Sequence, residues 1–211
     1  MKKKNAERNN DRERKPICVD VIIETPGNNR NKFKYDPETK IIKLSKVMPE
    51  GMHFPYDFGF VPSTKAEDGD PVDVLVLTDA PLFPGCAVEC RLIGVVEAEQ
   101  EQQGKRNRND RLIAVATQSI RYSDIYSLHD LAPSVIRQIE EFFVNYQRVR
   151  SVTVTILGRG GPTASMKILE KASMQKPAEA QMVGRTTEFW FALYRNLLID
   201  DCSIPTYDLG C

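Results

Sequence analysis

The sequence predicts a mainly β fold, a small closed β-barrel with two helices packed against it. Short apolar runs rich in β-branched residues recur between turn signals from Cys18 to about residue 117, a spacing typical of small all-β folds. Two segments with helical periodicity are also present, and both lie after most of these runs. Because helices that follow a block of strands usually pack on the outside of the sheet, this order favours a barrel covered by helices.

The first strands are predicted from apolar runs and one turn. The run 18–24 predicts the first strand, and the aromatic stretch 54–60 is a later one. Between them, 32–36 and 40–44 flank the turn Asp36-Pro37-Glu38-Thr39. Proline and aspartate are favoured turn residues, so these two runs predict a hairpin.

The remaining strands lie further along the chain and enclose one polar stretch. Apolar runs predict strands at 72–78, 86–97, 111–117 and 151–157. The stretch 97–110 between two of these strands is rich in Glu, Gln, Asn and Arg. Polar connecting segments lie on the surface, so we expect an exposed and mobile loop there.

Two helices complete the predicted domain. The first covers 133–147, where Pro133 suits the first helical turn. Its apolar residues share one stripe at helical spacing, and they are Val135, Ile136, Ile139, Phe142, Phe143 and Tyr146. The second helix is predicted at 163–174, after glycines and Pro162 interrupt the preceding strand.

Both ends of the chain are predicted to lie outside this domain, which covers 17–175. Residues 1–16 carry seven basic and three acidic side chains with almost no apolar residues. Such a segment cannot bury enough surface to fold, so we expect a disordered basic arm. A role in binding nucleic acid or an acidic partner is the alternative. Residues 176–211 form an extension of unknown role that contains an apolar, aromatic patch.

Composition excludes several classes of protein. Lys and Arg number 29, as do Asp and Glu, so the formal net charge is zero. Apolar runs stay well short of the ~18 residues that span a bilayer, and the charged N-terminus does not resemble a secretory signal, so no membrane association is expected. The five cysteines are scattered and odd in number, which indicates a reducing cytoplasm. The spacing Cys86-x-x-x-Cys90 has no second ligand pair, so a zinc site is not expected.

The most informative feature is an acidic cluster at the start of a predicted strand. Asp68, Asp70 and Asp73 lie within six residues, and Asp73 is flanked by apolar residues. Carboxylates this close repel one another and need a positive partner. Oxygen ligands without His or Cys select a hard cation, so we expect Mg²⁺, with Mn²⁺ as an alternative. The other interpretation is an acidic turn whose carboxylates accept backbone N–H groups.

Charged residues elsewhere are candidates for the same site. Glu24 ends an apolar strand, and Arg111 begins one. Lys34 and Lys46 flank the predicted hairpin. Carboxylates that hold Mg²⁺ with basic side chains around them suit a polyanionic phosphate substrate. Each basic residue by itself is more often a solvated surface charge, so these residues count as candidates only because they occur together with the carboxylates.

The segment Asp68-Gly69-Asp70-Pro71-Val72-Asp73 resembles the signature of the soluble family I inorganic pyrophosphatases. The resemblance covers roughly 18–175, and further matches lie in the same order along the chain: Val21-Ile22-Ile23-Glu24-Thr25-Pro26, Lys34-Tyr35, Phe54-Pro55, Gly59-Phe60, Pro84-Gly85, Phe142-Phe143 and Tyr146. It implies an OB-like barrel of five strands, a homo-oligomer that is usually a hexamer in bacteria, and hydrolysis of diphosphate to two phosphates with several Mg²⁺ ions.

The resemblance also implies roles for individual residues. Asp68 and Asp73 match metal ligands, and Glu24 matches a carboxylate that binds a further metal. Asp70 matches the residue that contacts metal and accepts a proton from the attacking water. A carboxylate can act as this base because the metal lowers the pKa of the bound water. The matches to phosphate-binding positions are Lys34, Lys46, Arg111 and Tyr146.

Several positions depart from the family pattern. Lys46 stands where the family usually has Arg, Phe58 where it has Tyr, and Gln147 where it has Lys. A strict alignment places Gln100 and Asn109 on two metal-binding Asp positions.

Two accounts of these departures are open. The longer loop allows a shift in register, which would bring Glu99 or Glu101 and Asp110 into the metal site, and we favour an active enzyme of this kind. The alternative is a weak or inactive relative that still binds metal or phosphate.

An OB-type module that binds phosphate or nucleic acid is the competing class. The carboxylates of the acidic cluster would repel the phosphate groups of such a ligand unless metal ions lay between them. Nucleic acid is therefore an unexpected partner, and inorganic diphosphate is the expected one.

Overall fold

The structure is a computed structural model that describes residues 15–149 and 151–173. Within these residues the chain forms nine strands and two α-helices. The strands are β1 (Cys18–Thr25), β2 (Asn31–Asp36), β3 (Ile41–Val47), β4 (Asp57–Phe60), β5 (Asp73–Leu77), β6 (Ala87–Gln102), β7 (Lys105–Arg108), β8 (Arg111–Ala116) and β9 (Thr153–Gly160). The helices are α1 (Pro133–Arg148) and α2 (Pro162–Ser173), and a short 3-10 turn covers Leu128–Asp130.

Five of the strands close into a ring. Their order is β1-β4-β5-β8-β6, and β6 pairs with β1 to complete it. The β5–β8 pair is parallel, and the other pairs of the ring are antiparallel. β2 and β3 form a separate hairpin, whereas β7 and β9 both pair with β6. The mainly β class with a closed five-stranded ring and two helices is thus confirmed.

The ring strands β4, β5 and β8 are buried on both faces, which explains the continuous apolar runs of β5 and β8. Alternate residues face two hydrophobic clusters. Leu75 and Ile113 belong to the cluster that includes the apolar stripe of α1. Val74 and Leu112 belong to the other, which includes Leu169 of α2.

The predicted mobile loop at 97–110 is corrected by the structure, which shows a β-hairpin there. β6 continues to Gln102, and Gln103 and Gly104 form the turn with positive φ of 52° and 76°. Cross-strand ion pairs support the hairpin, and Arg106 contributes two of them, to glutamates of β6. The hydrophobic pattern did not predict this hairpin, because nearly all residues of its strands are polar and the usual alternation of apolar and polar residues is absent.

The strand predicted at 151–157 begins and ends later. β9 covers Thr153–Gly160 and pairs with β6 along most of that length. Gly160 belongs to the strand because it pairs with Val95 of β6. A Cβ there would lie 2.4 Å from the Cβ of Ala164, so the position requires glycine.

The two predicted helices are present, with shifts of one residue at their ends. Most of the predicted basic arm (residues 1–14) and the predicted extension 176–211 lie outside the described residues. No helix within 15–149 and 151–173 is long and apolar enough to cross a membrane.

Candidate active site

The acidic turn before β5 is held by backbone hydrogen bonds. The Gly69 N–H donates to the Ala66 carbonyl at 3.0 Å, and the Ala66 N–H donates to the Asp70 carbonyl at 2.7 Å. Gly69 has a φ of +90°, a conformation that favours glycine. Asp68 Oδ1 accepts the Asp70 N–H at 3.2 Å, so one carboxylate does cap the turn. The turn places Asp68 and Asp70 on the surface, close to Asp73 at the start of β5.

Asp73 and Arg111 meet because they begin two parallel neighbouring strands, β5 and β8. Arg111 Nε lies 3.2 Å from Asp73 Oδ2. The contact is an ion pair without hydrogen-bond alignment, and this buried nitrogen has no hydrogen-bond partner. Arg111 Nη1 donates to the carbonyls of Asn109 and Asp110 at 3.1 and 3.2 Å. The guanidinium is therefore fixed beside the acidic cluster.

Glu24 reaches the acidic cluster from a β-bulge at the end of β1. Between Ile23 and Thr25 the pairing with β4 shifts by one residue, so Glu24 is the extra residue. A bulge of this kind redirects a side chain. Glu24 Oε1 accepts the Tyr35 N–H at 2.7 Å, and the residue is 7% exposed.

The pKa of Glu24 is strongly perturbed. Burial raises the pKa of this carboxyl to about 7, and the charge of Asp73 adds to the increase. The hydrogen bond from Tyr35 and the charges of Lys32 and Lys34 act in the opposite direction. Burial also raises the pKa of Asp68, with further increases from the charges of Asp73 and Asp70. A nearby cation would stabilise the ionised form of both carboxyls and lower their pKa values again.

Lys34 is paired with Asp70. Its Nζ donates to Asp70 Oδ2 at 2.8 Å, and about half of each side chain is exposed. The hydrogen bond to Asp70 is the main cause that raises the pKa of Lys34. Lys34 thus lies in the predicted site, in contact with a carboxylate.

Lys32 is a site residue that the sequence interpretation missed. Its Nζ lies 5.3 Å from the ring centroid of Phe58 and 5.4 Å from that of Tyr146. Its charge also acts on Glu24, and it pairs with Lys46 across the hairpin, which places both lysines on one face. The sequence did offer a way to find Lys32. Residues two apart in a strand lie on the same face, so the predicted strand places Lys32 on the face of Lys34.

Tyr146 is brought to the site by α1. It is buried, and its ring stacks on Phe142 with 5.8 Å between centroids. It also packs against Phe54 at 5.7 Å. The apolar stripe of α1 therefore has a second role, because it positions this tyrosine beside Lys32.

Arg111 also lines a small pocket with a different character, which we call the amide pocket. Its other polar residues are Gln100, Asn109 and Gln147. Gln147 Nε2 donates to Gln100 Oε1 at 3.3 Å. The remaining lining is mainly apolar and consists of Val96, Ala98, Phe143, Val154 and Ile156.

The structure places Glu99 and Asp110 outside the lining of this pocket, where Gln100 and Asn109 lie instead; the role of Glu99 and Asp110 as replacement metal ligands stays a prediction. Glu99 pairs with Thr155 on β9 and lies 3.7 Å from Arg106, on the opposite face from Gln100. Asp110 Oδ1 accepts the Ala98 N–H at 3.0 Å and the Arg108 Nε–H at 2.6 Å. Successive side chains of a strand point to opposite faces, so adjacent residues in the sequence cannot both face the pocket. Gln100 and Asn109 share the face of Arg111, and their neighbours in the sequence do not.

With Glu24 added, the acidic cluster has four members, and from here on the name covers Glu24, Asp68, Asp70 and Asp73. Its chemistry suits a hard cation. All its donors are carboxylate oxygens, and two of the carboxyls have raised pKa values. Among residues 15–149 and 151–173 no three such groups converge closely enough to form a metal cage. Mg²⁺ does not require one, because it commonly binds one or two carboxylates and keeps its waters. The residues present therefore fit Mg²⁺ or Mn²⁺.

A closed five-stranded ring covered by two helices defines an OB-like protein, and acidic and basic side chains lie together where β5 and β8 begin. The family model for inorganic pyrophosphatase matches residues 21–176. The chain belongs to the inorganic pyrophosphatase family.

Individual relatives agree with this assignment. The inorganic pyrophosphatase of Nostoc sp. is 37% identical over 144 residues, which cover 68% of this chain and 83% of that protein. The crystal structure of inorganic pyrophosphatase from Thermus thermophilus matches with a TM-score of 0.70 and 33% identity, covering 77% of this chain and 93% of that one. The structure of an inorganic pyrophosphatase from Coxiella burnetii matches with a TM-score of 0.71 and 32% identity, covering 78% of this chain and 98% of that one. The predicted family and the predicted OB-like fold are confirmed.

Proposed function

We propose that the protein hydrolyses inorganic diphosphate to two phosphates with the help of Mg²⁺, or of Mn²⁺ in its place. The main support is the convergence of the acidic cluster with Lys32, Lys34 and Arg111 in a chain of this family. The relatives named inorganic pyrophosphatases favour this activity over an OB-type binding module. They also favour it over an inactive relative.

The acidic cluster would hold the metal. Asp68, Asp73 and Glu24 are the proposed ligands, and Asp70 is both a ligand and the proposed catalytic base. When bound, Mg²⁺ lowers the pKa of coordinated water and offsets negative charge on phosphate oxygens. Asp70 is exposed on its turn, which leaves its carboxylate accessible to a water molecule beside the substrate. It would accept the proton of that water as the bond to phosphorus forms.

The basic and aromatic side chains would bind the phosphate groups. Lys46 and Lys32 lie side by side across the hairpin, and Lys32 packs against Tyr146. Arg111 is buried and fixed, and its Nε is a donor without a hydrogen-bond partner. Together with Lys34 these groups form a cationic rim around the acidic cluster, which suits a compact polyanion.

The deciding experiment measures phosphate release from diphosphate while Mg²⁺ is titrated and then removed with EDTA. We expect activity that requires the metal. Asp70→Asn should lower kcat at least ~100-fold, the range for loss of a general base. Asp36→Asn is the matched control, because Asp36 is an acid of the hairpin that pairs with Lys43 and not with a residue of the proposed site. Unchanged turnover in Asp70→Asn, or hydrolysis that persists in EDTA, would contradict the proposal.

We also propose a cytoplasmic location and a homo-oligomeric state. Cys18, Cys86 and Cys90 are free thiols in the structure, which suits a reducing compartment. The hexamer stays a prediction from the family resemblance, and sedimentation equilibrium of the purified chain would test it.

A further inference from the structure

The pairing of Lys34 with Asp70 gives the acidic cluster a cation that belongs to the chain itself. The 2.8 Å contact joins the ammonium group to the proposed catalytic carboxylate. The charges of Glu24 and Asp73 act on the same ammonium group. Lys34 therefore contacts one carboxylate of the cluster and lies within the electrostatic influence of two others.

The other cations near the cluster are held differently. Lys32 lies over the rings of Phe58 and Tyr146. Arg111 is buried, with its guanidinium tied to backbone carbonyls and to Asp73. Lys34 lies on a flexible stem with half of its side chain exposed, so it can leave Asp70 at little cost.

We propose that Lys34 is a tethered counter-cation that competes with a divalent ion for Asp70 and so sets the metal affinity of the site. The inference rests on the proposed function and deepens it. A metal ion that approaches Asp70 meets a positive charge already bound to that carboxylate. The ion must displace it, and the released ammonium group then becomes available to the phosphate groups of the substrate.

The size of the effect follows from the charges. A divalent ion about 5 Å from an ammonium group at the protein surface loses roughly tenfold in affinity through repulsion in a water-like dielectric. Salt screens such exposed charges over about 10 Å at 0.1 M ionic strength. The penalty should therefore shrink at high ionic strength.

The test is calorimetric titration of the full chain with Mn²⁺ in the absence of substrate. Lys34→Gln should tighten metal binding by about tenfold at low salt, and the difference from the unmodified chain should narrow as salt is added. Lys43→Gln is the matched control. Lys43 lies opposite Lys34 in the hairpin, has the same side-chain exposure of 50%, and pairs with Asp36 instead. It should change the affinity clearly less than Lys34→Gln does, because Lys43 pairs with Asp36 and not with a carboxylate of the cluster.

A second comparison separates this role from simple phosphate binding. Asp70 is the group that holds the Lys34 charge beside the metal position, so in an Asp70→Asn background Lys34→Gln should have a much smaller effect on Mn²⁺ affinity. An unchanged or weaker affinity for Mn²⁺ in the single Lys34→Gln variant, with only phosphate binding reduced, would overturn the inference and leave the proposed function intact. Failure of the unmodified chain to bind Mn²⁺ at all would overturn both.

Discussion

Arg111 contacts two regions of opposite character. The first is the acidic cluster, where Asp73 lies 3.2 Å from the guanidinium and Glu24 is buried with a pKa of about 7. The second is the amide pocket, whose lining includes Arg111 and where Gln147 and Gln100 are hydrogen-bonded to each other. β1 and β5 position the carboxylates, whereas β6, β8, β9 and α1 position the pocket.

The difference shows that one scaffold supports two kinds of environment. The carboxylates of the acidic cluster repel one another and are partly desolvated, so a divalent cation would stabilise them. The amides of the pocket are neutral, and two of them satisfy each other, so they gain little from a cation. The family resemblance predicts metal ligands in both regions, whereas this chain keeps carboxylates in only one of them.

The largest effect is expected where the two regions join. Arg111→Met removes the guanidinium, leaves Asp73 unpaired and deletes a buried donor. We expect diphosphate hydrolysis to fall ~100-fold and the free energy of unfolding to fall by about 2 kcal/mol, a value reduced because Asp73 is partly exposed. Steady-state kinetics and urea denaturation would measure the two changes. Arg111→Lys keeps the charge and should recover part of both, whereas equal losses in the two variants would show that the charge is unimportant.

Removing the buried charge of Glu24 should change how stability depends on pH. The folded-state pKa of about 7 lies above the ordinary value of 4.5, so the folded protein binds the proton more tightly than the unfolded chain. Stability from this group is full below pH 4.5 and is lost as pH rises to about 7, by up to about 3 kcal/mol.

Urea denaturation in EDTA between pH 4 and 8 would measure this loss. In Glu24→Gln the corresponding fall in stability should be absent. A fall of the same size in the variant would assign the pH dependence to another group.

Restoring acids to the amide pocket should make the two regions more alike. The double variant Gln100→Asp with Asn109→Asp adds two carboxylates on the face of Arg111. We expect divalent ions to bind at least ~10-fold more tightly, or in greater number, by attraction to the added charge. Mn²⁺ calorimetry would measure both quantities. Gln103→Asp adds an acid in the exposed hairpin turn and should have no such effect. Equal binding by the double variant and this control would show that the pocket does not accept metal.

The smallest effect is expected for the two acids on the opposite face. Glu99→Gln and Asp110→Asn should each change the rate of hydrolysis less than about twofold, because neither side chain faces Arg111. Asp110→Asn should lower the free energy of unfolding by about 1 kcal/mol, since it weakens the bonds to Arg108 and the Ala98 N–H. A large loss of rate in either variant would revive the idea that these acids replace missing metal ligands.

The sequence predicted some parts of the site well and others poorly. The acidic turn was readable because Asp68, Asp70 and Asp73 are close in the chain. The pair of Asp73 with Arg111 was not readable, because it depends on β5 and β8 being parallel neighbours. Lys32 was overlooked because its partners Phe58 and Tyr146 come from distant segments.

By itself the sequence determined the family, the mainly β class, the two helices and the acidic turn. Each of these depends on residue types and spacings within a short stretch of chain, where local geometry is nearly fixed. Only the tertiary structure decided which residues of the polar hairpin face Arg111. A strand presents alternate residues to opposite faces, so a register set by pairing with β9 and β7 placed Gln100 in the pocket and Glu99 outside it.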